Sequence, residues 1–233
     1  ELFNAPSLAM YGVGSNHLFE GNYIHDVVRE ATDAGAFYVY CSWANLGNVL
    51  KGNTFRRVYP VEQIAQNSPA SAIYLDCMGS GWTIVDNTFE DVMDGIFIGG
   101  GRQNIVKRNT FINCSTTAVH IDPKGLQARP NGMPQYCNDS QPAGLFIQEL
   151  EKYNFSMPGS TWHKEYSDML NLSMSCAPAF NVVTQNVWCR RRNSSRFTDF
   201  DEYVQLLESG TWQCGPTEQR RLCNDSGAWG VEI

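Results

Sequence analysis

One asparagine recurs at the same position in five segments of this chain that align without gaps. Two positions after that asparagine, each segment carries a bulky apolar residue: Ile24, Phe55, Phe89, Phe111 and Trp188. The aligned segments are HLFEGNYIHDV (17–27), NVLKGNTFRRV (48–58), WTIVDNTFEDV (82–92), NIVKRNTFINC (104–114) and NVVTQNVWCRR (181–191). Their shared asparagines are Asn22, Asn53, Asn87, Asn109 and Asn186.

Segments of a second kind lie between these and alternate with period two, as short strands do. They are SLAMYG (7–12), AFYVYC (36–41), AIYLDC (72–77), GIFIGG (95–100) and AVHIDP (118–123). Two strand types in each repeat predict an all-β solenoid, a single-stranded parallel β-helix. Because consecutive coils pair about 4.8 Å apart, the asparagines should form an amide ladder and the aromatic residues a stacked core column. A nucleotide-binding α/β fold is excluded, since residues 72–123 leave no room for helices between strands.

The alternation also predicts which side chains point inward and which outward. The inward residues are Leu8, Phe37, Ile73, Ile96 and Val119, followed by Met10, Val39, Leu75, Ile98 and Ile121. One outward column contains Ala9, Tyr38, Tyr74, Phe97 and His120, and the next contains Tyr11, Tyr40, Asp76, Gly99 and Asp122. Aromatic rings beside carboxylates indicate a ligand surface. The alternative is a surface that the C-terminal segment or a partner subunit covers.

The repeat is interrupted after residue 123, which predicts three parts. Residues 1–123 form the coils, 124–180 form a helical and loop excursion, and 181–233 form a final coil with a cysteine-rich tail. Helices are predicted over 159–172, with Ser160 as a possible cap, over 198–209 and over 143–153.

Sequons and cysteines indicate the compartment. Six N-x-S/T sequons occur, against about two expected from the composition. Together with eight cysteines, they predict a secreted, extracellular glycoprotein with disulfides, although chance sequons in a bacterial protein are the alternative. The predicted N-glycan acceptors are Asn113, Asn138, Asn154, Asn171, Asn193 and Asn224.

Charge and hydropathy exclude two classes of partner. The net charge of -7 argues against a nucleic-acid binder. No apolar run approaches the roughly 20 residues of a membrane helix, so no membrane span is expected. Nor does any motif indicate a metal or another cofactor.

Stacking of coils also predicts one disulfide. Cys41 and Cys77 fall in the same column of consecutive coils, within the Cα separation that a disulfide tolerates. Local pairs Cys176–Cys189 and Cys214–Cys223 would leave Cys114 with Cys137, but the sequence alone does not fix these three pairings.

Several motifs resemble those of a known superfamily. Residues 33–43 (DAGAFYVYCSW), 72–81 (AIYLDCMGSG), 95–114 (GIFIGGGRQNIVKRNTFINC), 118–126 (AVHIDPKGL) and 176–189 (CAPAFNVVTQNVWC) are similar to secreted right-handed parallel β-helix proteins of the pectate-lyase-like superfamily. The nearest similarity is to bacterial β-helix glycoside hydrolases that act on fucose- or xylose-containing plant glycans. The resemblance covers roughly residues 1–190 and implies a right-handed solenoid of carbohydrate-active ancestry.

This chain departs from the family pattern where polar groove residues are expected. Cys41 and Ser42 replace an Arg-Asp pair, and Cys77 replaces a second aspartate after Asp76. These departures favour a structural building block of an extracellular assembly, able to stack on itself into filaments, or a glycan-binding scaffold.

The alternative is a polysaccharide-degrading glycoside hydrolase. Asp76 and Asp122 would act as its paired carboxylates, with His120 beside them. Tyr38, Tyr74, Phe97 and Tyr40 would stack on sugar rings, and Asp33 and Glu30 are further candidates. A lyase would need a cationic base, for which Lys124 and Arg102 are the nearby residues.

Overall fold

The computed structural model describes residues 1–40, 45–60, 70–122, 124, 157–166, 178–190, 196–200 and 229–232. Strands are numbered β1 to β18 in chain order and form three sheets. Sheet A contains β1 (Leu2–Phe3), β4 (Tyr23–Val27), β7 (Thr54–Val58), β10 (Thr88–Val92), β13 (Thr110–Ile112), β16 (Val187–Arg190) and β18 (Trp229–Glu232).

The other two sheets complete each coil. Sheet B contains β2 (Met10–Gly12), β5 (Ala34–Val39), β8 (Ala70–Leu75), β11 (Asp94–Gly99), β14 (Thr117–Asp122) and β17 (Arg196–Phe200). Sheet C contains β3 (Leu18–Glu20), β6 (Asn48–Lys51), β9 (Trp82–Val85), β12 (Ile105–Lys107) and β15 (Val182–Thr184). In each of the first four coils the chain passes through the sheets in the order A, B, C, and strands of consecutive coils pair in parallel. This architecture confirms the predicted all-β parallel β-helix.

The predicted asparagine ladder is present at the turn from sheet C to sheet A. Asn53 Nδ2 donates to Asn87 Oδ1 at 3.0 Å, and Asn87 Nδ2 donates to Asn109 Oδ1 at 3.0 Å. The same contact joins Asn22 to Asn53 at 2.9 Å and Asn109 to Asn186 at 3.0 Å. Each of the three central amides also donates to a backbone carbonyl and accepts a backbone N–H, which satisfies polar groups inside the fold.

A second ladder, which the sequence reasoning missed, lies five residues earlier. Asn104 Nδ2 donates to Asn181 Oδ1 at 3.1 Å, and Trp82 N donates to Asn104 Oδ1 at 3.0 Å. Asn48 occupies the equivalent position in its coil and accepts from His17 N at 2.9 Å. The signal was a second asparagine five positions before the first in three of the five aligned segments.

The core is a column of stacked rings beneath sheet A. Phe89 lies 4.7 Å from Phe111 and 5.3 Å from Phe55 between ring centres, with nearly parallel planes. All three are fully buried. Trp188 extends the column because its strand pairs in register with Phe111.

The first strand of sheet B corrects the predicted register by two residues. Met10, rather than Leu8, pairs with Phe37, and Tyr11, rather than Ala9, pairs with Tyr38. Leu8 is 41% exposed and does not join the core. The ring of Phe37 lies against Gly12. A Cβ atom at position 12 would lie 2.7 Å from Cζ of Phe37, so a residue without a side chain fits this position. A shift of two residues keeps inside and outside unchanged, which is why alternation did not reveal it.

Only part of the predicted helical structure lies within the described residues. Helix α1 (Thr161–Glu165) begins where predicted, and Ser160 caps it by accepting from His163 N at 3.1 Å. The helix predicted over 198–209 is wrong at its start, because β17 (Arg196–Phe200) pairs in parallel with β14. The unpaired edge of β14 thus overrides the local helical pattern. The helix predicted over 143–153 and most of the 124–180 excursion lie outside the described residues.

Connections between the sheets differ sharply in length. Every turn from sheet C to sheet A has two residues, and its first residue has positive φ: Gly21, Gly52, Asp86, Arg108 and Gln185. Connections that enter or leave sheet B vary in length, from the single residue Met93 to longer segments such as 28–33, 40–47, 59–69 and 123–181. The insertions therefore border sheet B on both sides.

Candidate functional site

The outer face of sheet B is the candidate site, because the variable connections flank it. Its central feature is a continuous column of rings, one from each coil. Between ring centres, Tyr11 lies 6.1 Å from Tyr38, Tyr38 lies 5.3 Å from Tyr74, and Tyr74 lies 4.4 Å from Phe97. His120 ends this series with its ring edge-on to Phe97 at 4.9 Å. Parallel pairing in register produces this stack, since each strand places one ring at the same height.

Exposure divides the column into two parts. Tyr74 and Phe97 are only 3% and 5% exposed, so their rings cannot offer a face to a ligand. At these two positions, the alternative of a covered surface fits the structure better than sugar stacking. Tyr11 is 49% exposed, Tyr40 is 53% exposed, and Tyr38 lies half-buried between them. Among the aromatic residues whose exposure is described on this face, the exposed ones therefore belong to the first two coils.

Asp76 follows β8 and is only 7% exposed. Its Oδ2 accepts a hydrogen bond from the Tyr38 hydroxyl at 2.7 Å. Its Oδ1 accepts from Cys77 N at 2.7 Å and contacts the ammonium of Lys124. Both oxygens are thus engaged with donors from three different residues.

Asp122 ends β14 and lies in the row of Asp76, two coils away, with Gly99 between them. Its Oδ1 accepts from Lys124 N at 3.0 Å. Lys124 therefore connects the two carboxylates, through its ammonium to Asp76 and through its backbone to Asp122. Sequence reasoning named Lys124 only as a possible lyase base; its position two residues after Asp122 was the signal for this contact.

A third carboxylate lies at the opposite end of the strands. Asp33, which precedes β5, accepts from the Tyr74 hydroxyl at 2.5 Å. Burial raises the pKa of Tyr74 above its usual value, and the hydrogen bond to Asp33 raises it further. Burial likewise raises the pKa of Tyr38, followed by its hydrogen bond to Asp76. Both hydroxyls therefore stay protonated and act as hydrogen-bond donors.

Two other candidates are His120 and Arg102. His120 lies in the aromatic column, as the alternation predicted, and its ring packs edge-on against Phe97. Arg102 is fully buried, and its Cζ lies 5.3 Å from the centre of the Phe180 ring. It is therefore a core residue at the corner between sheets B and C rather than a base that faces a ligand.

Comparison with protein families identifies the family of this chain. The family described as "right handed beta helix region" matches residues 4–131. The chain belongs to the right-handed β-helix family. Comparisons with curated proteins and with solved structures find no significant match. The family match supports the parallel coils and their handedness, and for function it supports at most a scaffold like those of carbohydrate-active proteins.

The cysteines of this β-helix chain differ in part from the predicted framework. Cys77 and Cys189 are disulfide-bonded. Cys41, the predicted partner of Cys77, lies outside the described residues, as do Cys137, Cys176, Cys214 and Cys223. Cys114 is a free, buried thiol, which corrects its proposed pairing with Cys137. It follows β13 and joins the hydrophobic core, where burial raises the pKa of its thiol.

One sequon lies within the described part of the β-helix. Asn113 has positive φ at the corner after β13, and its amide contacts Asp91 of the preceding coil. The other five sequons lie outside the described residues. Among the residues that the structure describes, no cluster of His, Cys, Asp or Glu could hold a metal ion, and no helix is long and apolar enough to cross a membrane.

Proposed function

We propose that this β-helix protein is a secreted scaffold that binds an oligosaccharide on the outer face of sheet B. The observation that carries the proposal is the group of accessible tyrosines in the first two coils, namely Tyr11 and Tyr38 of the column and the neighbouring Tyr40, beside the carboxylates of Asp33 and Asp76. Flat rings with polar tips suit sugars, whose ring faces are apolar and whose edges carry hydroxyls.

The hydrogen bonds around the carboxylates favour binding over hydrolysis. A glycosidase needs one carboxyl that protonates the leaving oxygen and a second that activates water or attacks the sugar. Both oxygens of Asp76 are already occupied by Tyr38, Cys77 and Lys124, and little of the residue is exposed. Asp76 therefore fixes Tyr38 and Lys124 in place, which is a positioning role.

Hydrolysis remains the second candidate, on one specific observation. Asp76 and Asp122 share a row two coils apart, as an enzyme with paired carboxylates would require. Substrate that displaces the Lys124 ammonium would leave Cys77 N as the remaining donor to Asp76 Oδ1 and open one acceptor position on that oxygen for chemistry.

Secretion and N-glycosylation belong to the same proposal. The excess of sequons and the disulfide bonds at Cys77 and Cys189 support an oxidising, extracellular compartment. Self-stacking into extracellular filaments remains a prediction, which sedimentation at increasing protein concentration would test.

Calorimetric titration with a panel of oligosaccharides tests the proposed function. Tyr40→Ala and Tyr11→Ala should each weaken binding by about fivefold to tenfold, because an aromatic contact is worth about 1–1.5 kcal/mol. Phe3→Ala is the matched control, since Phe3 is exposed on sheet A, away from this face.

The same samples are assayed for released reducing ends. Binding without turnover supports the scaffold. Turnover that disappears in Asp76→Asn would instead establish the hydrolase. Absence of binding across the panel, or equal loss of affinity in Phe3→Ala, would refute the proposal.

A further inference from the structure

The aromatic column on sheet B brings tyrosine rings together with proton acceptors. Between ring centres, Tyr11 lies 6.1 Å from Tyr38, and Tyr38 lies 5.3 Å from Tyr74. Rings at these separations interact directly through their π systems. The Tyr38 hydroxyl donates to Asp76 at 2.7 Å, and the Tyr74 hydroxyl donates to Asp33 at 2.5 Å. Three phenols therefore form a series from an exposed ring to a buried one, and the two inner phenols each have a base at hydrogen-bond distance.

Phenols with adjacent bases are suited to one-electron oxidation. Removal of an electron makes a phenol hydroxyl strongly acidic, and a positioned carboxylate accepts the proton in the same event. Asp33 is exposed, so the proton that it takes from Tyr74 has an exit to water. Asp76 is only 7% exposed, so a proton taken from Tyr38 would remain on a nearly buried carboxyl. The oxidised state is therefore accommodated best at Tyr74.

Burial would protect a radical at Tyr74 from reaction with other molecules. Its ring is only 3% exposed and packs between Tyr38 and Phe97, which lies 4.4 Å away between ring centres. Two exposed tyrosyl radicals can couple to each other, whereas a ring enclosed in this way cannot reach a second one. Phe97 ends the series, because a ring without a hydroxyl has no proton to give and is harder to oxidise.

We propose that the tyrosine column is a redox site, which takes an oxidising equivalent from small oxygen-centred radicals and holds it as a neutral tyrosyl radical on Tyr74. The oxidant removes an electron from exposed Tyr11, whose proton passes to water. Tyr38 then reduces Tyr11, and Tyr74 reduces Tyr38, and each reduced phenol recovers its proton. In sum, one electron moves from Tyr74 to the oxidant, and its proton passes to Asp33 and through water to the reduced oxidant. This activity is independent of glycan binding.

Carbonate radicals, generated by pulse radiolysis of bicarbonate solution, are the probe, and electron paramagnetic resonance of freeze-quenched samples detects the product. The wild-type chain should give a neutral tyrosyl radical that decays at least about tenfold more slowly than any tyrosyl radical formed in Tyr74→Phe, which keeps the ring and its packing. Tyr59→Phe is the matched control. Tyr59 is exposed and follows β7, outside the column, so its loss should leave the long-lived radical unchanged.

Asp33→Asn separates proton transfer from packing, because the amide oxygen still accepts from Tyr74 but cannot take its proton. Formation of the long-lived radical should slow by at least about tenfold, since a positioned base contributes a factor of that size or more. Tyr38→Phe should also slow it, because the middle phenol of the series is removed. Glu30→Gln changes an exposed carboxylate in the same connection as Asp33 and should have no effect.

Three results would overturn the inference. A tyrosyl radical of equal lifetime in Tyr74→Phe would show that the oxidising equivalent is held elsewhere. Unchanged formation in Asp33→Asn, or an equal effect in Glu30→Gln, would show that proton transfer to Asp33 is not part of the event. Absence of any long-lived tyrosyl radical in the wild type would show that the column does not hold the oxidising equivalent.

Discussion

At the scale of single residues, one ion-pair cluster gives the fold a distinct pH dependence. His25 Nδ1 lies 2.6 Å from Asp26 Oδ2, and its Nε2 lies 2.8 Å from Glu1 Oε1. Arg57 binds the same aspartate through its guanidinium. The hydrogen bonds to Asp26 and Glu1 raise the pKa of His25, while the hydrogen bond from Arg57 lowers the pKa of Asp26. The cluster joins β4 and β7 to Glu1, the residue before β1.

The pKa shifts of His25 and Asp26 predict the pH range in which the cluster stabilises the fold. Folding raises the pKa of His25. Protonated His25 therefore stabilises the fold fully at pH values below its ordinary pKa of 6.5, and this stabilisation is lost as the pH rises through the pKa of the folded state. Asp26 contributes above its ordinary value of 3.8, and that contribution is lost only as the pH falls through its lower folded-state value. Both are therefore present between about pH 4 and pH 6.5.

Urea unfolding of the wild type and His25→Gln measures the effect between pH 5 and pH 8. The wild type should be the more stable protein at pH 5, and the difference should shrink as the pH rises, since neutral His25 loses one of its two charge-assisted contacts. A difference that stays constant across this range would show that the cluster does not titrate as described.

At the scale of elements, asparagine ladders tie each coil to the next. Asn87 is buried and lies at the middle of the first ladder. Its Oδ1 accepts from Asn53 N at 2.8 Å, and its Nδ2 donates to Leu50 O at 2.9 Å. It therefore connects the turn before β10 to the coil that precedes it and, through Asn109, to the coil that follows.

Asn87→Ala should lower the free energy of unfolding by about 2–5 kcal/mol, because the Asn53 N–H and the Leu50 carbonyl would be buried without their partner. Asn22→Ala, at the half-buried end of the same ladder, should cost only about 1 kcal/mol. Equilibrium denaturation of both variants checks this order. Equal losses in the two variants would contradict the account of the ladder.

Sequence patterns predicted those features that repeat between coils. Asn53, Asn87 and Phe89 were placed correctly because equivalent residues stack directly on one another. The register of β2 was missed because a shift of two preserves alternation. Pairing of β17 with β14 was missed because a distant strand edge, not local sequence, decides it.

The candidate site was predictable in its position but not in its exposure. Alternation correctly placed Tyr38, Tyr74, Phe97 and His120 in one outward column. It could not show that Tyr74 and Phe97 are buried, because a strand pattern distinguishes two faces without saying what covers either of them. Nor could it show that Lys124 bridges Asp76 and Asp122.

At the scale of the whole molecule, the three sheets are not equivalent. Two-residue turns join sheet C to sheet A in every coil, and they stack at positive φ from Gly21 to Gln185. Sheet B alone has variable connections on both of its sides. A regular scaffold with its variable segments around one face concentrates recognition on that face. The central claim is therefore that the outer face of sheet B binds a glycan at its exposed tyrosines.

Hydroxyl-radical footprinting with and without neutral oligosaccharide tests this claim most directly. Tyr11 and Tyr40 report on sheet B, while Phe3 on sheet A and Ile105 on sheet C are exposed controls. Saturating ligand should protect Tyr11 and Tyr40 from modification and leave Phe3 and Ile105 unchanged. Protection of Phe3 or Ile105 instead, or no protection of either tyrosine at saturation, would contradict the account.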